Sequence, residues 1–225
     1  MHTTTLSCLL ALTTTLSAGT EYSVDASSAV FAVVTHKAGA VAALAHDHFI
    51  QPNAFTVDAS AAGDRSQAEF HVKFPVAALQ IDDVQLQQKY IPALKKAGIM
   101  RKSFTKISDK DRGLVREHML AEGQLDAEQF PEIEAKLLRL EKKPVKMGET
   151  TFEYEAVMAL TVRGKTVEHP FGVNVTEEEG GVRIEGAGRY KFTDFGFEPY
   201  SGLMGLVRNE DVFYVYADFT ATPVK

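Results

Sequence analysis

The fold of this chain is decided by residues 152–175, which read FEYEAVMALTVRGKTVEHPFGVNV. In residues 152–162 every even-numbered side chain is apolar, and in residues 167–175 every odd-numbered side chain except His169 is apolar. An alternation with period two is typical of a strand with one buried face. The connector Arg163-Gly164-Lys165 is short and contains glycine, which predicts a hairpin. Each arm has about eleven residues against the usual ~5–6, a length that favours a large antiparallel sheet or barrel.

The same alternation predicts further strands on both sides of this hairpin. They lie at residues 29–35, 55–57, 70–74, 133–137, 182–192 and 212–221. Helical spacing of apolar residues replaces the alternation over about 82–123. Pro92 should kink or split the first helix of this segment, and Ser108 should cap the second. The pattern predicts an all-β domain of about eight antiparallel strands that close into a barrel, with the helices inserted between strands 3 and 4.

Two local irregularities are also expected in the strands. The alternation is lost at Leu137-Leu138, which predicts a β-bulge. Gly186 and Gly188 share the parity of Tyr190, and their missing side chains favour a bend or close packing on that face.

Residues 1–19 have the pattern of a secretory signal peptide. Residues 6–16 are apolar and rich in threonine, too short to span a membrane, and small residues flank a cleavage position after Gly19. This predicts export, with residues 20–225 as one domain in the bacterial periplasm or outside the cell. Cys8 is the only cysteine and lies inside the segment, so the mature chain would have no disulfide. The formal net charge of −6 argues against a nucleic-acid partner.

Four motifs occur in order along nearly the whole predicted mature chain. They are ALAHDHFI at 43–50, GQLDAEQFPEI at 123–133, LTVRGKTV at 160–167 and TDFGF at 193–197. Through them the chain resembles the YceI-like family, a lipocalin-like group associated with polyisoprenoid binding. The resemblance implies a lipocalin-like barrel with an elongated apolar cavity for an isoprenoid tail. The function expected from it is that of an exported protein that holds or carries a polyisoprenoid lipid or an isoprenoid quinone.

Side chains on the expected inner face of the barrel are the candidates for contact with such a lipid. The set is Phe70, Val72, Phe74, Phe152, Tyr154, Met158, Leu160, His169, Phe171, Val173, Tyr190, Phe192, Phe213, Val215 and Phe219. His169 is the polar member and would face a head group or be a satisfied core histidine. An apolar barrel interior is also simply a core, and periodicity alone does not separate a ligand cavity from ordinary packing.

His46 and His48 are the sharpest polar feature of the sequence. In an extended segment their side chains point the same way, a spacing that lets two imidazoles bind one Zn²⁺ or Cu²⁺. A third ligand would have to be another histidine that the sequence does not place: His36, His71, His118 or His169. The alternative is a pair of hydrogen-bonded histidines at a strand end or barrel mouth.

Motifs of catalysis are absent from the sequence. It contains no Gly-x-Ser-x-Gly elbow, no phosphate-binding glycine loop and no His-Glu-x-x-His. We therefore expect a protein without enzymatic activity, with hydrolysis by a histidine-bound metal as the one catalytic route left open. Besides the lipid carrier, two hypotheses stay open: a metal-binding or stress-related exported protein that uses His46 and His48, and a partner-binding module that acts through residues 82–123. A homodimer and a transient membrane contact are compatible with each, and a membrane-spanning role is not expected.

Overall fold

The computed structural model describes residues 19–224, except for the side chain of Leu44. Cys8 and all of the predicted signal peptide except Gly19 lie outside the described residues. The described strands are β1 Thr20–Val24, β2 Val30–Ala38, β3 His48–Pro52, β4 Thr56–Ala62, β5 Asp64–Pro75, β6 Leu79–Ile81, β7 Glu132–Glu141, β8 Val145–Met147, β9 Thr150–Phe152, β10 Tyr154–Val162, β11 Lys165–Glu178, β12 Gly181–Lys191, β13 Ser201–Gly202 and β14 Val207–Pro223. The helices are α1 Val84–Lys96 and α2 Asp109–Leu120.

Eight strand positions close into one antiparallel barrel. Three positions are each formed by two consecutive strands with an irregularity between them: β1 with β2, β3 with β4, and β5 with β6. The other five are β7, β10, β11, β12 and β14, and β14 pairs with both β1 and β2, which closes the sheet. The predicted eight-stranded barrel is confirmed. The helices lie between the third and fourth positions, also as predicted.

The hairpin that decides the fold turns through two residues. Val162 pairs with Lys165, so the turn consists of Arg163 and Gly164, with φ of 51° and 70°. Positive φ at both central residues matches the right-handed twist of the flanking strands. The Arg163 guanidinium lies 5.3 Å from the ring centre of Phe197, a cation–π contact that helps to offset the cost of a left-handed non-glycine residue.

The predicted bulge at Leu137-Leu138 is confirmed in β7. Val157 of β10 pairs with Arg139 and Met158 pairs with Leu137, so Leu138 has no partner and is 46% exposed. An extra residue reverses the parity of a strand. As a result Leu137 and Leu140 both face the interior although one is odd-numbered and the other even-numbered.

Helix α1 packs on the outside of the barrel. Tyr90 and Leu94 are buried in a cluster with Val34 of β2 and Tyr216 of β14, and the Tyr90 and Tyr216 ring centres are 5.7 Å apart. The expectation that Pro92 splits this helix is wrong, because α1 runs unbroken from Val84 to Lys96. Buried contacts on both sides of Pro92 hold the helix against a cost of about 3 kcal/mol for proline in its interior.

Helix α2 covers one end of the barrel. Its N-cap is Ser108, as predicted, and the Ser108 hydroxyl accepts a hydrogen bond from the backbone N–H of Asp111 at 3.1 Å. Arg116 donates hydrogen bonds to the backbone carbonyls of Ala77 and Leu79, which ties the helix to the edge of β6. Side chains of α2 thereby form one end wall of the interior.

Candidate functional site

The barrel encloses an elongated, mostly apolar cavity of about 810 Å³. All eight strand positions contribute to its wall. The cavity runs from Arg65 and Glu177 at one end to the α2 residues Leu114, Val115 and His118 at the other. Its volume lies within the range of about 300–1,000 Å³ found for pockets that bury most of a small ligand.

Twelve of the fifteen side chains predicted to contact a lipid line this cavity. They are Phe70, Val72, Phe74, Met158, Leu160, Phe171, Val173, Tyr190, Phe192, Phe213, Val215 and Phe219. Their shared feature is the inward parity of an alternating strand. Contact of these residues with a lipid stays a prediction, because their position in the wall does not identify what they touch.

Phe152 lies on the outside of the barrel, where it does not line the cavity. A bend at Glu153 separates β9 from β10, so Phe152 belongs to β9 and does not continue the alternation of β10. Its fully buried side chain packs in the cluster that contains Tyr90 and Leu94 of α1. The outward-facing Gly172 makes room for it, since a Cβ at that position would lie 2.4 Å from the Phe152 ring.

Tyr154 and His169 are also not among the cavity-lining residues. The Tyr154 ring is buried against Leu140 and Val173, and its hydroxyl accepts a hydrogen bond from Arg65 at 3.0 Å. His169 is half-buried, with its ring centre 5.4 Å from that of Tyr190. Tyr154 begins β10 and His169 is the fifth residue of β11, so inward parity alone does not decide which side chains reach the cavity wall.

Two glycines keep the aromatic wall flat. A Cβ at Gly186 would lie 2.5 Å from the ring of Phe171, and one at Gly188 would lie 2.4 Å from it. The ring of Phe171 therefore packs directly on the backbone of β12. This is the close packing that the two glycines led us to expect. Any side chain at either position would displace the ring toward the cavity.

The inner face of β2 was missed by the sequence reasoning. Phe31, Val33 and Thr35 line the cavity. Phe31 is the centre of an aromatic group: its ring centre lies 5.2 Å from that of Phe74 and 5.2 Å from that of Phe219. Parity gave no signal for these residues, because the outer face of β2 is equally apolar where α1 covers it.

Polar side chains interrupt the apolar wall at the end that α2 covers, among them Thr35, His46 and His48. Thr35 and His48 are direct partners in the pairing of β2 with β3, and the ring centres of His46 and His48 are 6.3 Å apart. Within the described residues, the buried Thr35 hydroxyl and Nδ1 of His46 have no hydrogen-bond partner. Buried polar atoms are almost always paired, so these two call for a ligand or an ordered water.

Asp82 holds His48 in place from behind the wall. Its carboxylate is 3% exposed, and Oδ2 accepts a hydrogen bond from Nδ1 of His48 at 2.7 Å. The other oxygen, Oδ1, accepts from the backbone N–H of Phe49 and from the side-chain amide of Gln87, both at 2.8 Å. A carboxylate only accepts, so Nδ1 carries the proton and Nε2 of His48 is left for other contacts.

The other histidines do not complete a metal site with His46 and His48. His36 is hydrogen-bonded to the carbonyl of Ile99 at 2.8 Å, and His71 to the carboxylate of Glu134 at 3.1 Å. In the part of the chain that the structure describes, no three His, Cys, Asp or Glu side chains are grouped to hold a metal ion. Zinc sites use at least three protein ligands. Metal binding by His46 and His48 stays a prediction that this geometry does not favour.

A closed eight-stranded antiparallel barrel around an elongated apolar cavity defines the chain as a lipocalin-like barrel protein. Comparison with family models is more specific, because residues 22–220 match the YceI-like domain. The chain therefore belongs to the YceI-like family, as its four motifs indicated.

The solved structures that are similar to this chain include a protein of Burkholderia cenocepacia and one of Campylobacter jejuni. BcnA of Burkholderia cenocepacia has 13% sequence identity and a TM-score of 0.59, and the match covers 89% of this chain and 100% of BcnA. The YceI protein of Campylobacter jejuni has 11% identity and a TM-score of 0.43, with 78% of this chain and 84% of that one covered. The likeness to BcnA shows a common fold. No curated protein matches the chain. Among the described residues, neither helix has the length and apolar character needed to cross a membrane.

Proposed function

We propose that this protein binds a polyisoprenoid lipid or an isoprenoid quinone in its barrel cavity and holds or carries it after export. The observation that carries the proposal is the apolar cavity of about 810 Å³ that runs between the two ends of the barrel. Membership in the YceI-like family supports the same ligand class. Export rests on the signal-peptide pattern of residues 1–19. No catalytic step is part of the proposed function.

Burial of the tail would supply most of the affinity. A tail of about 20 carbons, at about 0.8 kcal/mol per buried CH₂, gives a gross gain of about 15 kcal/mol before the costs of association and ordering. A hydrogen bond to a neutral head group adds only about 1 kcal/mol. We therefore expect the length and shape of the tail to decide affinity, and the head group to decide orientation.

A tryptophan in the wall tests the proposal directly. Ala135 lines the cavity between Val72 and Leu160, its partners in the neighbouring strands, so Ala135→Trp places an indole in the lumen. Lys136→Trp is the matched control, because the next residue of β7 is exposed and faces away from the cavity. Purified protein is extracted with organic solvent, and the extract is analysed by mass spectrometry.

The expected result is a long-tailed isoprenoid lipid in the extract of the wild type and of Lys136→Trp, and a loss of at least tenfold in Ala135→Trp. Circular dichroism must show that all three proteins are folded. Recovery of no lipid from the wild type, together with no binding of added isoprenoids, would reject the proposal. Equal recovery from Ala135→Trp would place the lipid outside the barrel.

A further inference from the structure

We propose that Thr35, His46 and His48 form a head-group subsite that takes an uncharged head group with hydroxyl or carbonyl oxygens, in preference to a phosphate or diphosphate. This inference rests on the proposed lipid-binding function and names the head-group chemistry that the cavity accepts. It assigns the tail to the long apolar part of the cavity and the head to the end that α2 covers.

The unpaired polar atoms indicate where the head group lies. Thr35 is 3% exposed, and neither its hydroxyl nor Nδ1 of His46 has a partner among the described residues. A hydroxyl can donate or accept, and each imidazole nitrogen can do either according to its tautomer. A head-group oxygen that satisfies these atoms recovers the free energy lost when they are buried alone, about 1–3 kcal/mol for each atom.

The charges around the subsite disfavour an anion. Arg65 is the single Arg or Lys among the described cavity-lining residues, and it lies at the opposite end, bonded to Tyr154 and Glu177. Phosphate sites are typically built from arginine, lysine or a free helix N-terminus. The carboxylate of Asp82, 2.7 Å from Nδ1 of His48, adds a negative charge next to the subsite.

The other polar side chains that line this end of the cavity include no arginine or lysine: they are Asp111, His118, Gln124, Tyr200 and Asn209. The first turn of α2 carries Asp109 and Asp111 beside Lys110 and Arg112, so its side chains add no net positive charge at this helix N-terminus. On the side away from His48, Thr35 pairs with Phe213, whose ring is apolar. A diphosphate placed here would lose its hydration without gaining a countercharge.

Three ligands with the same carbon count separate tail from head: geranylgeraniol, geranylgeranyl diphosphate and the hydrocarbon phytane. Affinities are measured by displacement of the neutral fluorophore N-phenyl-1-naphthylamine from delipidated protein. The variants are Thr35→Val and His46→Phe, which remove the polar atoms and keep the volume. Thr161→Val is the control, because the Thr161 hydroxyl is bonded to Thr166 at 2.8 Å on the exposed face of β10.

We expect the wild type to bind geranylgeraniol at least tenfold more tightly than the diphosphate. Thr35→Val and His46→Phe should each weaken geranylgeraniol about fivefold, the ratio that corresponds to a hydrogen bond of about 1 kcal/mol. Both should leave phytane within twofold, and Thr161→Val should change nothing. In the comparisons between a variant and the wild type, each made with one ligand, differences in ligand solubility cancel.

Two results would overturn the subsite while leaving lipid binding intact: a diphosphate bound as tightly as the alcohol, or an alcohol affinity within twofold of the wild type in both variants. Failure of all three ligands to bind the wild type would instead overturn the lipid-binding function, and the subsite with it. The two failures are therefore distinguishable.

Discussion

The carboxylate of Asp82 anchors the histidine end of the cavity, and we predict that Asp82→Ala lowers the free energy of unfolding by about 4 kcal/mol. Three donors lose their partner, and two of them cannot give up their proton: the backbone N–H of Phe49, a residue with 0% exposure, and the amide of Gln87, with 6% exposure. The third, Nδ1–H of His48, can move its proton to Nε2 by a change of tautomer, so it is not counted in the cost. A buried donor left alone costs about 1–3 kcal/mol, so the two together cost about 3 kcal/mol. Asp82 also has φ of 55°, which adds about 1 kcal/mol for alanine.

Two further substitutions separate these contributions. Asp82→Asn keeps an acceptor oxygen for Phe49 and Gln87 and tolerates a left-handed backbone, so it should cost only about 1 kcal/mol. Asp82→Gly removes the acceptor and the backbone strain together, so it should cost about 3 kcal/mol. The expected order of unfolding free energies is therefore wild type, Asn, Gly and Ala.

Urea denaturation followed by circular dichroism measures this order, provided that all proteins are delipidated, since a bound ligand stabilises the folded state. The slope m must be equal among the variants for the differences to be stability differences. A cost below about 1 kcal/mol for Asp82→Ala would refute the argument from buried donors. Full recovery in Asp82→Gly would show that backbone strain, and not hydrogen bonding, accounts for the loss.

Two further predictions concern the wall and its surroundings. Gly188→Ala should weaken lipid binding at least threefold in the displacement assay, because its Cβ would meet the Phe171 ring at 2.4 Å and push the ring into the cavity. Gly113→Ala is the control, because no atom lies within 4 Å of the added Cβ. It should leave the affinity for lipid unchanged and stabilise α2 by about 0.5–1 kcal/mol. Unchanged affinity in both would contradict the role of the glycines in β12. The Asp47 carboxylate, 3.6 Å from Nδ1 of His36, raises the pKa of His36 against the effect of burial. Burial by itself would raise the pKa of Asp47, but His36 and the hydrogen bond from the backbone N–H of Lys37 outweigh it and lower that pKa. The stabilisation by this pair is therefore complete between about pH 4 and pH 6.5, falls as pH rises through the raised pKa of His36, and falls again in acid as Asp47 is protonated. The stability difference between wild type and Asp47→Asn should accordingly be larger at about pH 5.5 than at about pH 9, and an equal difference at both would exclude the ion pair.

The sequence by itself determined the class of fold and much of the cavity wall. Strands whose outer face meets water must alternate, so Met158 and Leu160 of β10, and Phe171 and Val173 of β11, could be assigned to the interior by parity alone. Loss of that parity at Leu138 correctly indicated the bulge, because one extra residue exchanges the two faces of a strand.

Only the tertiary structure decided which face of β2 looks inward. Its residues are apolar on both faces because α1 covers the outer one, so Phe31 inside and Val34 outside have the same signature in the sequence. Phe152 was misplaced for a related reason. Phe152 continues the alternation of β10 in sequence, but the bend at Glu153 ends that strand and places the side chain of Phe152 against α1.

The polar end of the cavity also depends on tertiary structure. The sequence singled out His46 and His48, whose spacing places both on one side of an extended segment. Their neighbour Thr35 comes from the pairing register of β2 with β3, and Asp82, 34 positions after His48, from the course of the chain behind β3. Contacts between residues far apart in sequence depend on register and closure of the barrel, which no local spacing encodes, so the surroundings of the two histidines became visible only in the folded chain.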